Sequence, residues 1–158
     1  MLDINIPTAL SAREVNSLQR WAHGKRVVEA GALLGYSTLR LSDVAKSVVS
    51  IDKREGYSGP TLAPYLHHVW NYGNANILPV QGDVLTELPH YRGDFGFIDL
   101  TGKFELTQAA LAAIRCPIVG IHDFSRPKCE GVAQAIEGME ALELTDTLVI
   151  VRNSFYKG

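Results

Sequence analysis

Short apolar runs that alternate with helix-like segments are the feature of this sequence that most restricts its fold. Runs of this length suit strands rather than buried helices, and strands this apolar are typical of a parallel sheet covered on both faces. The runs are VVEA at 27, SVVSID at 47, NILPVQ at 76, FGFID at 95 and PIVGIH at 117. Helices are predicted between them at about 37–45, 60–72, 104–114 and 130–141. The repeated β-α pattern therefore predicts an α/β protein with a doubly wound sheet.

The two ends of the chain differ from this repeat. Ser11 and Glu14 form a capping-box pattern that starts a leading helix, which Gly24 ends. ALELT at 141 and LVIVR at 148 are separated only by Asp146 and Thr147, so we expect an antiparallel hairpin. We therefore predict a single domain over 1–158, in which 1–24 is the leading helix, 25–141 the β-α repeats and 142–158 the terminal hairpin.

Charge and cysteine usage exclude several partners. Fifteen Lys and Arg against 17 Asp and Glu give a formal charge of −2, so the chain has no excess positive charge to bind a nucleic-acid backbone. The first residues lack the pattern of a signal peptide, and no apolar run approaches the roughly 18 residues that span a bilayer. Cys116 and Cys129 have no metal-site spacing. We expect a cytoplasmic protein with reduced thiols, no membrane partner and no nucleic-acid partner.

Acidic residues follow the predicted strands. Ligands of open parallel sheets bind beyond the carboxyl ends of the strands, so these positions indicate a site. The acids are Glu29, Asp52, Asp83, Asp99 and Asp123.

The turn after the first strand restricts the ligand. Gly31 and Gly35 allow close approach of the backbone, and a helix then begins near Ser37. A dinucleotide fingerprint would need glycine where the chain has Leu33 and Tyr36. An acid in the preceding strand would repel a pyrophosphate but attract an ammonium or sulfonium. The pattern favours a ligand that is a cationic nucleoside without phosphate. The alternative interpretation is that the glycines only shape the turn and that the acids only cap helices.

These motifs together resemble those of a known family. The run EAGALLGYS at 29–37 is similar to motif I of class I S-adenosylmethionine-dependent methyltransferases, especially of the catechol and caffeoyl-CoA O-methyltransferase group. The resemblance continues through later strand ends at SIDK (50), GD (82), FIDLTGKFE (97) and VGIHDF (119). It implies a Rossmann-like sheet and methyl transfer from S-adenosyl-L-methionine, most simply to an oxygen of a small-molecule acceptor.

The resemblance also implies roles for individual residues. Asp52 would bind both ribose hydroxyls, since a carboxylate only accepts and the hydroxyls donate, and Asp83, after Gly82, would approach the adenine amino group. Glu29, Gly31 and Gly35 would cradle the methionine part. The full set of candidate cofactor-binding residues is Glu29, Gly31, Gly35, Ser37, Asp52, Gly82, Asp83 and Asp99.

Catalysis and metal binding are less completely specified by the resemblance. In the catechol type the acids corresponding to Asp99 and Asp123 bind a metal, and adjacent strands about 4.8 Å apart would let them share Mg²⁺. Phe124 stands in place of an asparagine ligand, and Lys103 follows Asp99 by four residues rather than three. His122 is either a replacement ligand, a general base or a buried core histidine. The candidate catalytic residues are Asp99, Lys103 and His122.

Two other functions stay open at the level of sequence. One is a methyltransferase fold that has lost catalysis and acts as a binding or regulatory protein, and the other is a nicotinamide-dependent oxidoreductase. The β-α repeats use nearly the whole chain and leave little for a lid. We therefore expect an acceptor site that is open or completed by a second copy in a homo-oligomer.

Overall fold

A computed structural model describes residues 5–56, 59–127 and 129–158. Its helices are α1 (Ala12–Ala22), α2 (Tyr36–Ser42), α3 (Leu62–Tyr72), α4 (Val84–Glu87), α5 (Phe104–Ala113) and α6 (Glu130–Ala135). Its strands are β1 (Arg26–Ala30), β2 (Ser47–Asp52), β3 (Glu55–Gly56), β4 (Gly59–Pro60), β5 (Ile77–Gln81), β6 (Phe95–Ile98), β7 (Ile118–Ile121), β8 (Ala141–Thr145) and β9 (Leu148–Arg152). A single 3-10 turn, Leu88–His90, follows α4.

The main sheet has seven strands in the order β5-β2-β1-β6-β7-β9-β8. The first five in this order are parallel, whereas β9 runs antiparallel to both β7 and β8. The prediction of a mostly parallel sheet that ends in an antiparallel C-terminal hairpin is confirmed. The carboxyl ends of β1, β2, β5, β6 and β7 therefore meet at one edge of the sheet.

Helices cover both faces of this sheet. Val27 and Val28 are neighbours in β1 and belong to different buried clusters, because successive side chains of a strand point to opposite faces. The cluster of Val27 includes Leu18 of α1, and the cluster of Val28 includes Leu111 of α5. Burial on both faces explains why these strands are apolar without alternation.

Several boundaries differ from the predicted ones. Helix α6 ends at Ala135 rather than near 141, and Gly138, with φ +81°, lies in the turn before β8. Helix α3 begins at Leu62 because Pro60 belongs to the short β3–β4 hairpin, which was not predicted. Helix α4 was also not predicted, since a single turn is too short to show a helical period.

The two ends of the chain follow the predicted pattern. Helix α1 has both hydrogen bonds of the capping box between Ser11 and Glu14. Strands β8 and β9 pair across Asp146 and Thr147, with Thr145 opposite Leu148. Within the described residues, no helix has the length and apolar character needed to cross a membrane.

Candidate functional site

A cavity of about 570 Å³ lies at the edge where the parallel strands end. Its size is within the range of small-molecule and cofactor sites. Seven of the sequence-predicted residues line it: Gly31, Ser37, Asp52, Asp83, Asp99, His122 and Asp123. Four others lie outside its lining: Glu29, Gly35, Gly82 and Lys103. Most of the strand-end acids are thus brought together around one space.

The charge around the cavity is mainly negative. The carboxylates that line it are Asp52, Glu55, Asp83, Asp99 and Asp123. Lys53 is the one Lys or Arg among the described lining residues, and its Nζ lies 2.8 Å from Asp83 Oδ2. A cavity with this balance disfavours a pyrophosphate and favours a cationic ligand.

Glu29 is completely buried beneath the loop between β1 and α2. Its carboxylate accepts hydrogen bonds from the hydroxyls of Ser37 and Thr38 at the start of α2. Burial raises the pKa of Glu29, and these hydrogen bonds oppose the shift. In this structure Glu29 holds α2 against β1, so it supports the loop from below rather than facing the cavity.

The two glycines of this loop are required by backbone geometry. Gly31 has φ +87°, and a Cβ there would lie 2.0 Å from the carbonyl oxygen of Asp99. Gly35 has φ +92°, and its Cβ would lie 3.0 Å from the ring of Tyr65. The loop therefore packs closely against β6 on one side and α3 on the other, which only glycine permits at these positions.

Asp52, at the end of β2, ties two loops together. Its Oδ2 accepts hydrogen bonds from the backbone N–H groups of Ala32 at 2.8 Å and Leu33 at 3.0 Å. Its Oδ1 accepts from the Arg54 N–H at 2.6 Å. The carboxylate therefore both lines the cavity and fixes the β1–α2 loop that forms the cavity wall.

Asp83 caps the short helix α4 and also carries an ion pair. Its Oδ1 accepts from the Leu85 N–H at 2.9 Å, while Oδ2 meets Lys53. The hydrogen bond from Lys53 lowers the pKa of Asp83, which stays ionised. The neighbouring Gly82 donates its N–H to the Asp52 carbonyl at 3.1 Å and thereby links the ends of β5 and β2.

The ends of β6 and β7 bring a histidine between carboxylates. His122 Nδ1 lies 3.2 Å from Asp99 Oδ1 and 3.4 Å from Asp123 Oδ1. Arg126 reaches back to Asp123, with Nη1 3.0 Å from Oδ1. Lys103 is exposed at the start of α5 and does not join this cluster. The structure thus brings together Asp99, His122 and Asp123.

The carboxylates control the protonation of His122. Burial of the ring opposes protonation, but the hydrogen bond to Asp99 and the charges of Asp99 and Asp123 outweigh it and raise the pKa of His122. Burial has the largest effect on the pKa of Asp123 and raises it, whereas the charge of His122 acts in the opposite direction. The cluster can therefore hold a proton between an imidazole and a carboxylate at the cavity wall.

The donor set does not fit the Mg²⁺ ion implied by the resemblance. Mg²⁺ takes oxygen ligands in octahedral geometry, whereas the third ligand atom of the cluster is the His122 ring nitrogen. The residue after Asp123 is Phe124, which offers no side-chain oxygen. Arg126 and His122 already lie against the Asp123 and Asp99 oxygens.

Some lining residues were not predicted from the sequence. The N-terminal segment 7–10 forms part of the cavity wall, and Arg126 Nη2 donates to the Ala9 carbonyl at 3.0 Å. Glu55 and Gly56 of β3 and Leu85 of α4 line another part. The sequence gives one local sign that the N-terminal segment packs against the rest of the protein, which is the apolar and buried Leu10 just before the capping box. The other contacts of this segment are made with residues far away in sequence, so no local pattern could show them.

Comparison with known proteins identifies the fold. Neither a protein-family model nor a curated protein matches the sequence. Among solved structures, cofactor-bound Rv0187 from MTB is similar with 19% identity and a TM-score of 0.72 over 97% of this chain and 85% of its own. The Bacillus cereus O-methyltransferase in complex with SAH has 18% identity and a TM-score of 0.67 over 94% of this chain and 84% of its own.

A third similar structure is the O-methyltransferase TomG from Streptomyces achromogenes, in complex with SAM. It has 19% identity and a TM-score of 0.67 over 92% of this chain and 81% of its own. The fold of this protein is therefore the one seen in S-adenosylmethionine-dependent O-methyltransferases of known structure.

Proposed function

We propose that this protein transfers a methyl group from S-adenosyl-L-methionine to an oxygen of a small-molecule acceptor. The observation that carries the proposal is the acid-lined cavity at the ends of the parallel strands. A sulfonium nucleoside carries positive charge and no phosphate, which matches a wall of five carboxylates and one lysine already paired with Asp83. The O-methyltransferase fold supports the same assignment.

The chain's residues divide the binding between them. Asp52 faces the ribose, with its carboxylate held in place by backbone N–H groups of both neighbouring loops. In this proposal Asp83 and Leu85 contact the adenine, and Gly31 and Asp99 contact the methionine part; the support is that all four residues line the cavity. Glu29 contributes from below by fixing Ser37 and the start of α2.

The chemistry needs little more than alignment and a base. When bound, S-adenosylmethionine supplies an activated methyl group: the acceptor oxygen bonds to the methyl carbon as the carbon–sulfur bond breaks and its electron pair passes to sulfur. His122 takes the acceptor's hydroxyl proton, and Asp99 stabilises the imidazolium that forms. The wall formed by 7–10 and the apolar residues Leu100 and Leu106 orient the acceptor beside this pair.

We extend the proposal to the setting of the reaction. Both cysteines are free, which suits a reducing compartment such as the cytoplasm. The acceptor is a small molecule, because the cavity is compact and its acidic wall is unsuited to a nucleic acid. We also propose a homo-oligomer, which light scattering on the purified protein would test.

Calorimetric titration with S-adenosylmethionine, S-adenosylhomocysteine and NAD, each with and without Mg²⁺, tests the proposal. We expect micromolar binding of the first two, no binding of NAD and no dependence on Mg²⁺. Binding of NAD alone would identify a nicotinamide enzyme. Production of S-adenosylhomocysteine in an acceptor screen would then separate a methyltransferase from a binding protein that has lost catalysis.

The variant Asp52→Asn tests the cofactor assignment. Loss of hydrogen bonds to a charged group costs roughly 1.5–3 kcal/mol each, so affinity for S-adenosylhomocysteine should fall at least about tenfold. Asp43→Asn, beyond the last residue of α2 and outside the cavity, is the matched control and should bind normally. Unchanged affinity in folded Asp52→Asn would remove Asp52 from the site.

A further inference from the structure

Arg126 lies in the turn after β7, and the backbone of this turn directs its side chain at Asp123. The Arg126 N–H donates to the Asp123 carbonyl at 3.3 Å, and both Asp123 and Ser125 have positive φ, at +65° and +63°. Residues other than glycine adopt this conformation at a cost, so it persists only where the surrounding structure holds it. The turn brings the guanidinium back to the carboxylate three residues earlier, with Nη1 3.0 Å from Oδ1.

The buried oxygen Oδ1 of Asp123 depends on a neighbouring positive charge. It accepts no aligned hydrogen bond from the described residues, so its contact with Arg126 is an ion pair. A buried carboxylate is stable only when it is paired. The His122 ring is shared between Asp99 and Asp123, whereas Arg126 carries a permanent charge. Among the described residues, Arg126 is the one Lys or Arg within ion-pair distance of either carboxylate, which makes it the fixed cation of this cluster.

A divalent cation on this cluster would occupy the same space as the guanidinium charge. The candidate ligand atoms of Asp99, His122 and Asp123 lie within 4.8 Å of one another, so an ion that they shared would stand close to Arg126. Like charges this close repel each other strongly where water is partly excluded. The guanidinium is also held in place, because its Nη2 donates to the Ala9 carbonyl at 3.0 Å.

This second contact of Arg126 matters because segment 7–10 has few other attachments. Leu10 belongs to a buried cluster with α1, but residues 7–9 are exposed and belong to no helix or strand. Among the described residues, the hydrogen bond from Arg126 to Ala9 is the one that joins 7–9 to a residue outside this segment. The same side chain therefore contacts the acidic cluster and holds a wall of the cavity.

We propose that Arg126 is a positioning residue that takes the place of a divalent cation in this cavity. Its Nη1 neutralises Asp123 and excludes the metal, while Nη2 fixes the Ala9 carbonyl so that segment 7–10 forms the cavity wall. Methyl transfer then needs no metal ion, and the acceptor needs no pair of neighbouring oxygens with which to chelate one. The role in turnover rests on the proposed function, whereas cation exclusion and the order of segment 7–10 do not.

Manganese binding to the full chain, measured by electron paramagnetic resonance without any cofactor, tests the exclusion of metal. Mn²⁺ takes the same kind of oxygen ligands as Mg²⁺. Arg126→Ala should bind Mn²⁺ at least about tenfold more tightly than wild type, because a positive charge beside the cluster is removed. Arg126→Lys keeps that charge and should stay close to wild type. Combining Arg126→Ala with Asp123→Asn should abolish the gained affinity, which would place the new ion at Asp123.

Arg152→Ala is the matched control for the change in net charge. It also removes one positive charge from an ion pair, but Arg152 pairs with Glu140 and does not line the cavity. This variant should bind Mn²⁺ no better than wild type. The same Mn²⁺ affinity in wild type and folded Arg126→Ala, or tight binding by wild type, would overturn the inference. If Arg126→Ala does not fold, Arg126→Gln removes the same charge and keeps most of the side-chain stem.

Amide hydrogen exchange separates the two contacts of the guanidinium. Lysine has a single ammonium group and does not reproduce the two-armed geometry of arginine. Arg126→Lys should therefore still exclude Mn²⁺ but show faster exchange in the peptide that covers 5–11, and Arg126→Ala should show faster exchange there as well. Arg152→Ala should match wild type. Unchanged exchange in folded Arg126→Ala would overturn the role of Arg126 in the cavity wall.

Turnover gives a third readout once an acceptor is known. Wild-type kcat should be the same with and without EDTA, and acceptors with a single hydroxyl should be methylated. A loss of activity in EDTA that Mg²⁺ restores would overturn the inference. Absence of S-adenosylhomocysteine binding in the wild type would refute the proposed function but leave the manganese and exchange results interpretable.

Discussion

At the scale of single residues, the chain uses buried carboxylates to fix the groups around the cavity. Glu29 accepts hydrogen bonds from the hydroxyls of Ser37 and Thr38, and Glu14 accepts a hydrogen bond from the hydroxyl of Thr147. An acid removed from water is tolerated only with such donors, so each of these positions requires a specific hydroxyl partner. The site therefore depends on side chains that do not themselves reach the ligand.

An ion pair at the opposite edge of the sheet gives a prediction for pH. Hydrogen bonds from Arg26 lower the pKa of Asp94 to about 2. A depressed folded-state pKa contributes stability above the unfolded value of about 3.9, and that stability is lost as the pH falls towards 2. Asp94→Asn should therefore be less stable than wild type at pH 7, with a difference that shrinks between about pH 4 and pH 2. Urea unfolding over this range measures it, and a difference independent of pH would contradict the assignment.

Sequence patterns identified most cavity residues but not how each one acts. The acids Asp52, Asp83 and Asp99 follow strands, and parallel strands end at one edge, so their convergence was predictable. The burial of Glu29 was not, because motif spacing does not show which way a side chain points. The contact between Glu14 and Thr147 joins residues 133 positions apart, and no local pattern contains it.

At the scale of elements, the loop between β1 and α2 is the most tightly constrained part of the site. Asp52 fixes its backbone from β2, Gly31 packs on the Asp99 carbonyl, and Gly35 packs on Tyr65 of α3. The loop is therefore held by three neighbouring elements before any ligand binds. Such preorganisation lowers the entropic cost of binding.

The variant Gly35→Ala tests this packing. A non-glycine residue in the left-handed region costs roughly 1–2 kcal/mol, and contact with the Tyr65 ring at 3.0 Å adds to it. Gly138→Ala is the matched control, since Gly138 also has positive φ but a Cβ there meets nothing within 4 Å. Chemical denaturation should show the larger loss for Gly35→Ala, together with weaker S-adenosylhomocysteine binding. Equal losses of stability in the two variants would mean that the Tyr65 ring moves aside and that the loop is not tightly packed.

Long elements were predictable and very short ones were not. The five parallel strands and the terminal hairpin follow from apolar runs, because their burial on both faces leaves a direct signature in the sequence. Hairpin β3–β4 and helix α4 are too short to show a period. Both contribute residues to the cavity, so the part of the site that they form was not predicted, and neither was the part formed by the N-terminal segment 7–10.

At the scale of the whole molecule, one sheet carries the cavity at one edge and a large buried cluster on each face, that of Val27 and that of Val28. Strands β1 and β6 lie inside the sheet with partners on both sides, whereas β5 and β8 are its edges. The Phe95–Ile98 strand is buried throughout, and β5 leaves Leu78 about half exposed. The free energy of local unfolding should therefore be greatest for the strands in the middle of the sheet.

Amide hydrogen exchange read out by mass spectrometry checks this gradient. Peptides from β1 and β6 should exchange slowest, and peptides from β5 and from the β3–β4 hairpin should exchange fastest among the strands. Bound S-adenosylhomocysteine should slow exchange in the β1–α2 loop more than in β8. Slow exchange in β5 equal to that in β6 would indicate that this edge is covered in solution.

The position of β9 between β7 and β8 has a consequence for biosynthesis. On the ribosome, β1 to β7 emerge before the strand that closes the sheet, and Thr147 emerges long after Glu14. Strand β9 supplies Val149 and Val151 to the buried cluster on one face of the sheet and Leu148 and Ile150 to the cluster on the other. A nascent chain therefore cannot complete either face until this strand has left the ribosome, and folding of the whole sheet waits for its latest-synthesised strand.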